Sequence, residues 1–187
     1  AMTTTPAAPA DPRYPIGRWT TPDADPATLA ALLDALAEAP AALRTAVHGL
    51  DDARLDTPYR DGGWTVRQLV HHVADSHLHA YLRMKLALTA DPDAPPTIVP
   101  YDENRWTTLA DVALPVEPSL ALLDALHARW TAALRPLGAS GADAWDAHAY
   151  LHPEMGRVSL RQALGIYAWH GRHHTAHVTA LRARMGW

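Results

Sequence analysis

Cysteine is absent from all 187 residues. That excludes disulfides, thiolate metal sites and a cysteine nucleophile. Any transition-metal site in this chain must be built from His, Asp and Glu. Phenylalanine is absent too, so 7 Trp and 6 Tyr supply the aromatic bulk. Lys85 is the only lysine among 16 basic residues. There is no basic run, and the formal net charge is −4. Nucleic acid is therefore a disfavoured partner. Charges interrupt every long apolar stretch, which predicts no membrane span. No basic segment precedes an apolar one in the manner of a secretory signal. Together with the missing cysteines, this reads as a cytoplasmic protein.

What remains is ordinary for a globular chain: 48% apolar and 19% charged residues, enough for one core. Residues 1–13 read as a disordered tail, small and Pro-rich, with Ala1 before Met2 resembling an expression scar. Residues 14–187 read as a single domain. Helical periodicity recurs in four segments. The first starts at Asp25, an N-cap candidate with Pro26 behind it, and carries Leu29, Leu33, Leu36, Leu43 and Val47. Pro40 is expected to kink or split it. The second starts at Thr65, where Gln68 completes a capping box, and ends near Leu88–Thr89. Residues 91–117 hold five prolines and read as a long crossover with a short helical turn near 103–110. A third helix covers 118–137 and is expected to stop at Pro136–Gly138. Residues 138–158 look irregular, with a hairpin-like excursion from Tyr150 to Val158. The fourth helix opens on a second capping box, Ser159 and Gln162, and runs to Met185 before Gly186. At 1.5 Å per residue it spans about 39 Å. The fold class is all-α, a four-helix bundle with a long crossover between its second and third helices.

The chemistry lies in 12 histidines. His170 and His174 are four apart, which puts both rings on one helix face where they can share a divalent ion. His173 and His177 have the same spacing. At 100° per residue, His174 falls within the stripe of Leu160, Leu164, Tyr167, Val178 and Leu181, and His170 lies on its margin. His173 and His177 fall outside. In the second helix the apolar stripe centres on His77, with His71 and His72 on opposite flanks. Periodicity alone nominates His77 there as the inward-facing candidate, although a lone histidine on an apolar helix face is usually a hydrogen-bonded core residue. His48, His127, His148 and His152 read as surface or loop residues. Asp75 and Glu103 read as capping or solvated carboxylates, although a carboxylate such as Asp75 is a candidate to orient a ligating histidine.

Longer runs are familiar. The segment from Leu55 through Gly62-Gly63-Trp64-Thr65-Val66-Arg67-Gln68 to His71-His72-Val73-Ala74-Asp75-Ser76-His77 resembles the bacterial YfiT proteins of the DinB-like superfamily. So do Tyr14-Pro15-Ile16-Gly17, Pro100-Tyr101-Asp102-Glu103, Leu126-His127-Ala128-Arg129-Trp130, Ala163 to His170, and the closing Arg184-Met185-Gly186-Trp187. The resemblance covers residues 14–187 in order. It implies an up-down-down-up bundle that holds one divalent metal ion through His72 on the second helix and the pair His170 and His174 on the fourth. Zinc is the expected ion, with nickel as the alternative, and no other cofactor is expected. The implied activity is S-transfer of a low-molecular-weight thiol, bacillithiol, onto a small electrophile through a metal-bound thiolate. The alternatives are metal-dependent hydrolysis by metal-bound hydroxide and a non-catalytic, metal-stabilised binding module. A homodimer is the assembly the resemblance implies. Arg60, Arg157 and Arg161 are candidates to meet the carboxylates of the thiol.

Overall fold

The computed structural model describes residues 11–187. Most of the expected tail lies outside the described residues. Four long helices form the bundle: α1 (Pro26–Val47), α3 (Val66–Thr89), α5 (Glu117–Ser140) and α7 (Leu160–Met185). Short helices α2 (Asp52–Leu55), α4 (Glu103–Trp106) and α6 (Ala142–Ala147) sit in the connections. The excursion before α7 is an antiparallel hairpin of β1 (Ala149–His152) and β2 (Gly156–Ser159), with Tyr150 opposite Val158.

Both capping boxes are formed, Thr65 with Gln68 and Ser159 with Gln162, and they fix where α3 and α7 begin. The two prolines behave differently from expectation. Pro40 is buried inside a continuous α1, and Pro136 lies inside α5, which runs on to Ser140. Proline has no N–H to offer the carbonyl four residues back. In α1 that carbonyl belongs to Leu36, and it accepts instead from His127 Nδ1–H at 2.6 Å. In α5 the burial of Leu134 and Leu137 on either side of Pro136 favours the helical path. Tertiary contacts thus offset the local cost.

Contacts set the helix directions. Arg182 Nη1 donates to Ala46 O at the C-terminal ends of α1 and α7, so these two run parallel. Arg44 pairs with Glu117 and Asp124 while Leu36 meets His127, so α5 runs against α1. His71 meets Ser119 and Met84 meets Trp130, so α3 and α5 run parallel. The bundle is up-down-down-up, with α1 and α3 each flanked by α5 and α7.

The core is divided into two apolar clusters. One gathers Leu33, Leu36, Met84, Trp130, Leu134, Leu160 and Leu164. The other gathers Leu43, Val66, Leu69, Val70, Leu123, Val178 and Leu181. A layer of histidines separates them. By length and mean hydropathy (1.2) α1 is the one described helix that would suffice to cross a membrane. Its buried face is occupied within the bundle by Leu29, Leu33, Leu36 and Leu43.

Residues ahead of α1 lie along α7. Trp169 Nε1–H donates to Gly17 O (3.1 Å) and Arg161 Nη1 donates to Pro22 O (2.6 Å). Gly165 permits this approach, since a Cβ there would stand 2.7 Å from Pro22 Cδ. Asp11 and Arg13, assigned to the tail by composition, already form a turn onto Tyr14.

Candidate metal centre

The histidine layer opens on one side into a cavity of about 370 Å³. Its walls include Tyr59, Arg60 and Trp64 from the loop before α3, Glu103 and Asn104 from α4, and Trp169 from α7. At its base α3 presents His72 and α7 presents His170 and His174. His72 Nε2 lies 3.3 Å from His170 Nε2, and His174 Nε2 lies 3.1 Å from the same atom. The structure thus brings these three together with ligand atoms mutually within 4.8 Å.

That spacing suits an ion. Tetrahedral nitrogens at zinc bond lengths of about 2.0–2.1 Å sit about 3.3 Å apart. The donors are also in the right form. Burial holds His72 down to about 4, and it pushes His170 and His174 well below the usual histidine range, with the neighbouring histidines adding to the effect. All three are neutral at pH 7, as ligation requires.

The sign of the consequence for folding is fixed. An unfolded histidine takes its proton near 6.5, whereas His72 and His173 in the fold resist it until about 4. Between those values the unfolded chain binds more protons, so stability rises with pH. The metal-free protein should therefore melt at a lower temperature at pH 5 than at pH 7. A melting temperature that does not change across that interval would contradict the neutral, buried cluster.

The remaining histidines depart from the sequence reading in instructive ways. His71 is spent elsewhere, with Nδ1 2.7 Å from Ser119 Oγ and Nε2 3.1 Å from Leu114 O. His77 is a fully buried core residue, as its stripe implied, and lies 3.0 Å from His170 Nδ1. His127 is not at the surface: it is 1% exposed, between Leu123 and Trp130 on the buried face of α5. Its place four after Leu123 and three before Trp130 was the available signal. His173 and His177 are buried as well. Tyr59 covers His177 with ring centroids 4.1 Å apart, and Trp169 stacks on His173 at 4.2 Å. Helical periodicity ignores coverage from a loop such as that of Tyr59. A second cluster, His173, His174 and His177, also meets the distance requirement for a metal.

Asp75 makes no hydrogen bond to the three histidines at the cavity base. Burial raises its carboxyl, and the nearby Asp111 adds to the effect. Arg60 does line the cavity. Arg161 is instead paired with Asp146 and Pro22 O, and Arg157 with the carbonyls of Asp146 and Ala147. Tyr59, Trp64, Asn104 and Trp169 are wall residues that no sequence pattern had assigned to a site.

Residues 35–178 match the model of the DinB superfamily. The chain belongs to the DinB superfamily. Among its relatives, a Bacillus cereus (strain B4264) protein named "Putative metal-dependent hydrolase" is 48% identical over 180 residues, covering 95% of this chain and 99% of that one. A protein of the same designation from Bacillus mycoides (strain KBAB4) is 47% identical over 178 residues, with the same coverage. The solved structure of YfiT from Bacillus subtilis, described as a "probable metal-dependent hydrolase with an unusual four-helix bundle topology", superposes with a TM-score of 0.86 at 45% identity. It covers 94% of this chain and 98% of that one. A further four-helix bundle protein, TT2238, superposes at 0.52 with 26% identity, over 83% of this chain and 99% of that one. The DinB-type bundle is thus common ground, and His72, His170 and His174 occupy the floor of its cavity in this member.

Proposed function

We propose that this chain is a metal-dependent transferase that conjugates a low-molecular-weight thiol, bacillithiol by the family resemblance, to small electrophiles. The observation that carries this reading is the convergence of three neutral imidazole nitrogens at the base of an open cavity, with no carboxylate bonded to any of them. Such a donor set leaves a divalent ion its full charge. The ion, for which zinc is the proposal, supplies acidification of a thiol or water presented to it at neutral pH. The chain has no cysteine of its own, so the nucleophile must be external.

The chain's residues do the rest. Trp64 lies over His72 with ring centroids 4.5 Å apart, and together with Tyr59 and Trp169 gives the cavity aromatic walls for an apolar electrophile. Arg60 stands at the lip, its Nε–H donating to Tyr59 Oη and its Nη1 to Asp61 O. Among the described residues no carboxylate pairs with it, which leaves the guanidinium available for an acidic group on the thiol. Arg60→Ala is accordingly expected to raise KM for the thiol about tenfold while kcat changes little. Steady-state kinetics with the thiol as the varied substrate would check this, and a loss confined to kcat would refute the assigned role.

Hydrolysis is the second reading, favoured by Glu103. Among the described residues it is the one carboxylate on the cavity wall, and burial raises its carboxyl, which suits proton transfer to or from an attacking water. The two readings separate on one preparation. The purified protein is assayed for bound metal, then for conjugation of bacillithiol to a fluorogenic electrophile with and without chelator, and for hydrolysis of ester and amide substrates. Chelator-sensitive conjugation supports transfer; hydrolysis without conjugation replaces it with the second reading.

A further inference from the structure

We propose that two histidine relays, each anchored on a main-chain carbonyl, fix the tautomers of His170 and His174 so that both present a bare Nε2 to the cavity. This rests on reading His72, His170 and His174 as a metal face. It assigns roles to His77, His127 and His177, which line none of that face.

At the two ends of the relays the hydrogen position is forced. A carbonyl oxygen only accepts. His127 Nδ1 lies 2.6 Å from Leu36 O, so the His127 proton is on Nδ1 and its Nε2 is a lone pair. Leu36 O is open to it because Pro40, four residues on, brings no N–H. His77 Nδ1 lies 2.7 Å from His127 Nε2 and must therefore donate. His77 Nε2 is then an acceptor, 3.0 Å from His170 Nδ1, which donates in turn. One neutral imidazole carries one proton, so His170 Nε2 is left bare. The second relay has one link fewer. His177 Nε2 lies 3.2 Å from Arg13 O and must donate. Its Nδ1 then accepts from His174 Nδ1 at 3.3 Å, and His174 Nε2 is left bare.

The two bare nitrogens face each other at 3.1 Å. Neither has a proton to offer the other, so the pair is repulsive unless a cation lies against both. The relays therefore prepare a cation site without any carboxylate, the usual partner of a ligating histidine. They also decide between the two histidine clusters. A second ion held by His173, His174 and His177 would need the Nδ1 of His174 that the relay uses as a donor.

Long-range proton–nitrogen NMR of the full-length, metal-free protein with labelled histidine reads the tautomers directly. His127, His77, His170 and His174 should carry the proton on Nδ1, and His177 on Nε2. A proton on Nε2 of His170 or His174 overturns the proposal. Zinc competition against a chromophoric chelator supplies the second arm. His77→Phe should weaken zinc about 10–100-fold and move His170 toward the Nε2–H form. His77→Gln, whose amide can accept from His170 and donate to His127, should recover most of that loss. Equal affinity in wild type and His77→Phe would overturn the relay, and the wild-type tautomers remain decisive even if that variant fails to fold. Stoichiometry should be one zinc per chain; two would overturn the His177 relay. If zinc fails to bind the wild type at all, the metal-centre reading falls, while the tautomers can still be assigned on their own.

Discussion

His170→Ala is expected to abolish metal-dependent activity, with kcat/KM falling by about 10³-fold or more. His170 is the central residue of the three, within 3.3 Å of His72 Nε2 and 3.1 Å of His174 Nε2. Its loss leaves two neutral donors that no longer enclose a common point on three sides. Zinc affinity should drop by more than the roughly 10–100-fold typical of removing an outer partner of a ligand. His72→Ala and His174→Ala should behave alike. The informative contrast is with neighbours that share their chemistry and burial. His71→Ala removes a histidine bonded to Ser119 and Leu114 O on the far flank of α3, and His173→Ala removes one stacked on Trp169. Both should purify with metal. Elemental analysis of the five single variants checks the set. Metal retained in His170→Ala, or lost in His71→Ala, would place the ion elsewhere.

The pattern of what the sequence disclosed follows from which forces act locally. Capping boxes and stripes depend on neighbours within one or two turns, and the starts of α3 and α7 were legible for that reason. His170 and His174 were legible because α7 is one uninterrupted helix whose stripe includes them. His72 was not legible from periodicity. Its helix has its apolar stripe centred on His77, which faces the core, while His72 faces a cavity roofed by Trp64 from the preceding loop. Only the resemblance of the surrounding motif pointed to it. The burial of His173 and His177 depends on Tyr59, Tyr14 and the carbonyl of Arg13, none of which is local to α7. The prolines reverse the lesson. Pro40 and Pro136 carry a local helix-breaking rule, and burial of their flanks overrides it.

The largest effect on folding is expected from Trp130→Ala, at about 3–5 kcal/mol. Trp130 has no exposed surface and belongs to the apolar cluster on one side of the histidine layer. Its indole Nε1–H donates to Met84 Sδ at 3.0 Å, so α5 is tied to α3 by a polar contact within an apolar region. Its ring stands edge-on to His77 (5.8 Å), His127 (5.3 Å) and Tyr167 (5.6 Å). Truncation therefore removes the transfer free energy of the largest buried side chain type and leaves a cavity against the histidine layer. Against a total stability of about 5–15 kcal/mol, that is about a fifth or more of what holds a domain of this size together. A chain of this length should lose on the order of 10 °C in melting temperature. Trp130→Phe keeps most of the volume and forfeits the N–H donor, so it should cost appreciably less, about 1–2 kcal/mol. Leu86→Ala, at a position 53% exposed, should stay within about 0.5 kcal/mol of the parent. Urea unfolding of the metal-free proteins ranks the three directly. Because the new cavity borders His77 and His127, Trp130→Ala should also weaken zinc binding, and Trp130→Phe should do so less. A Trp130→Ala protein within 1 kcal/mol of the parent would mean that the core on that side of the histidine layer is packed differently from the arrangement described.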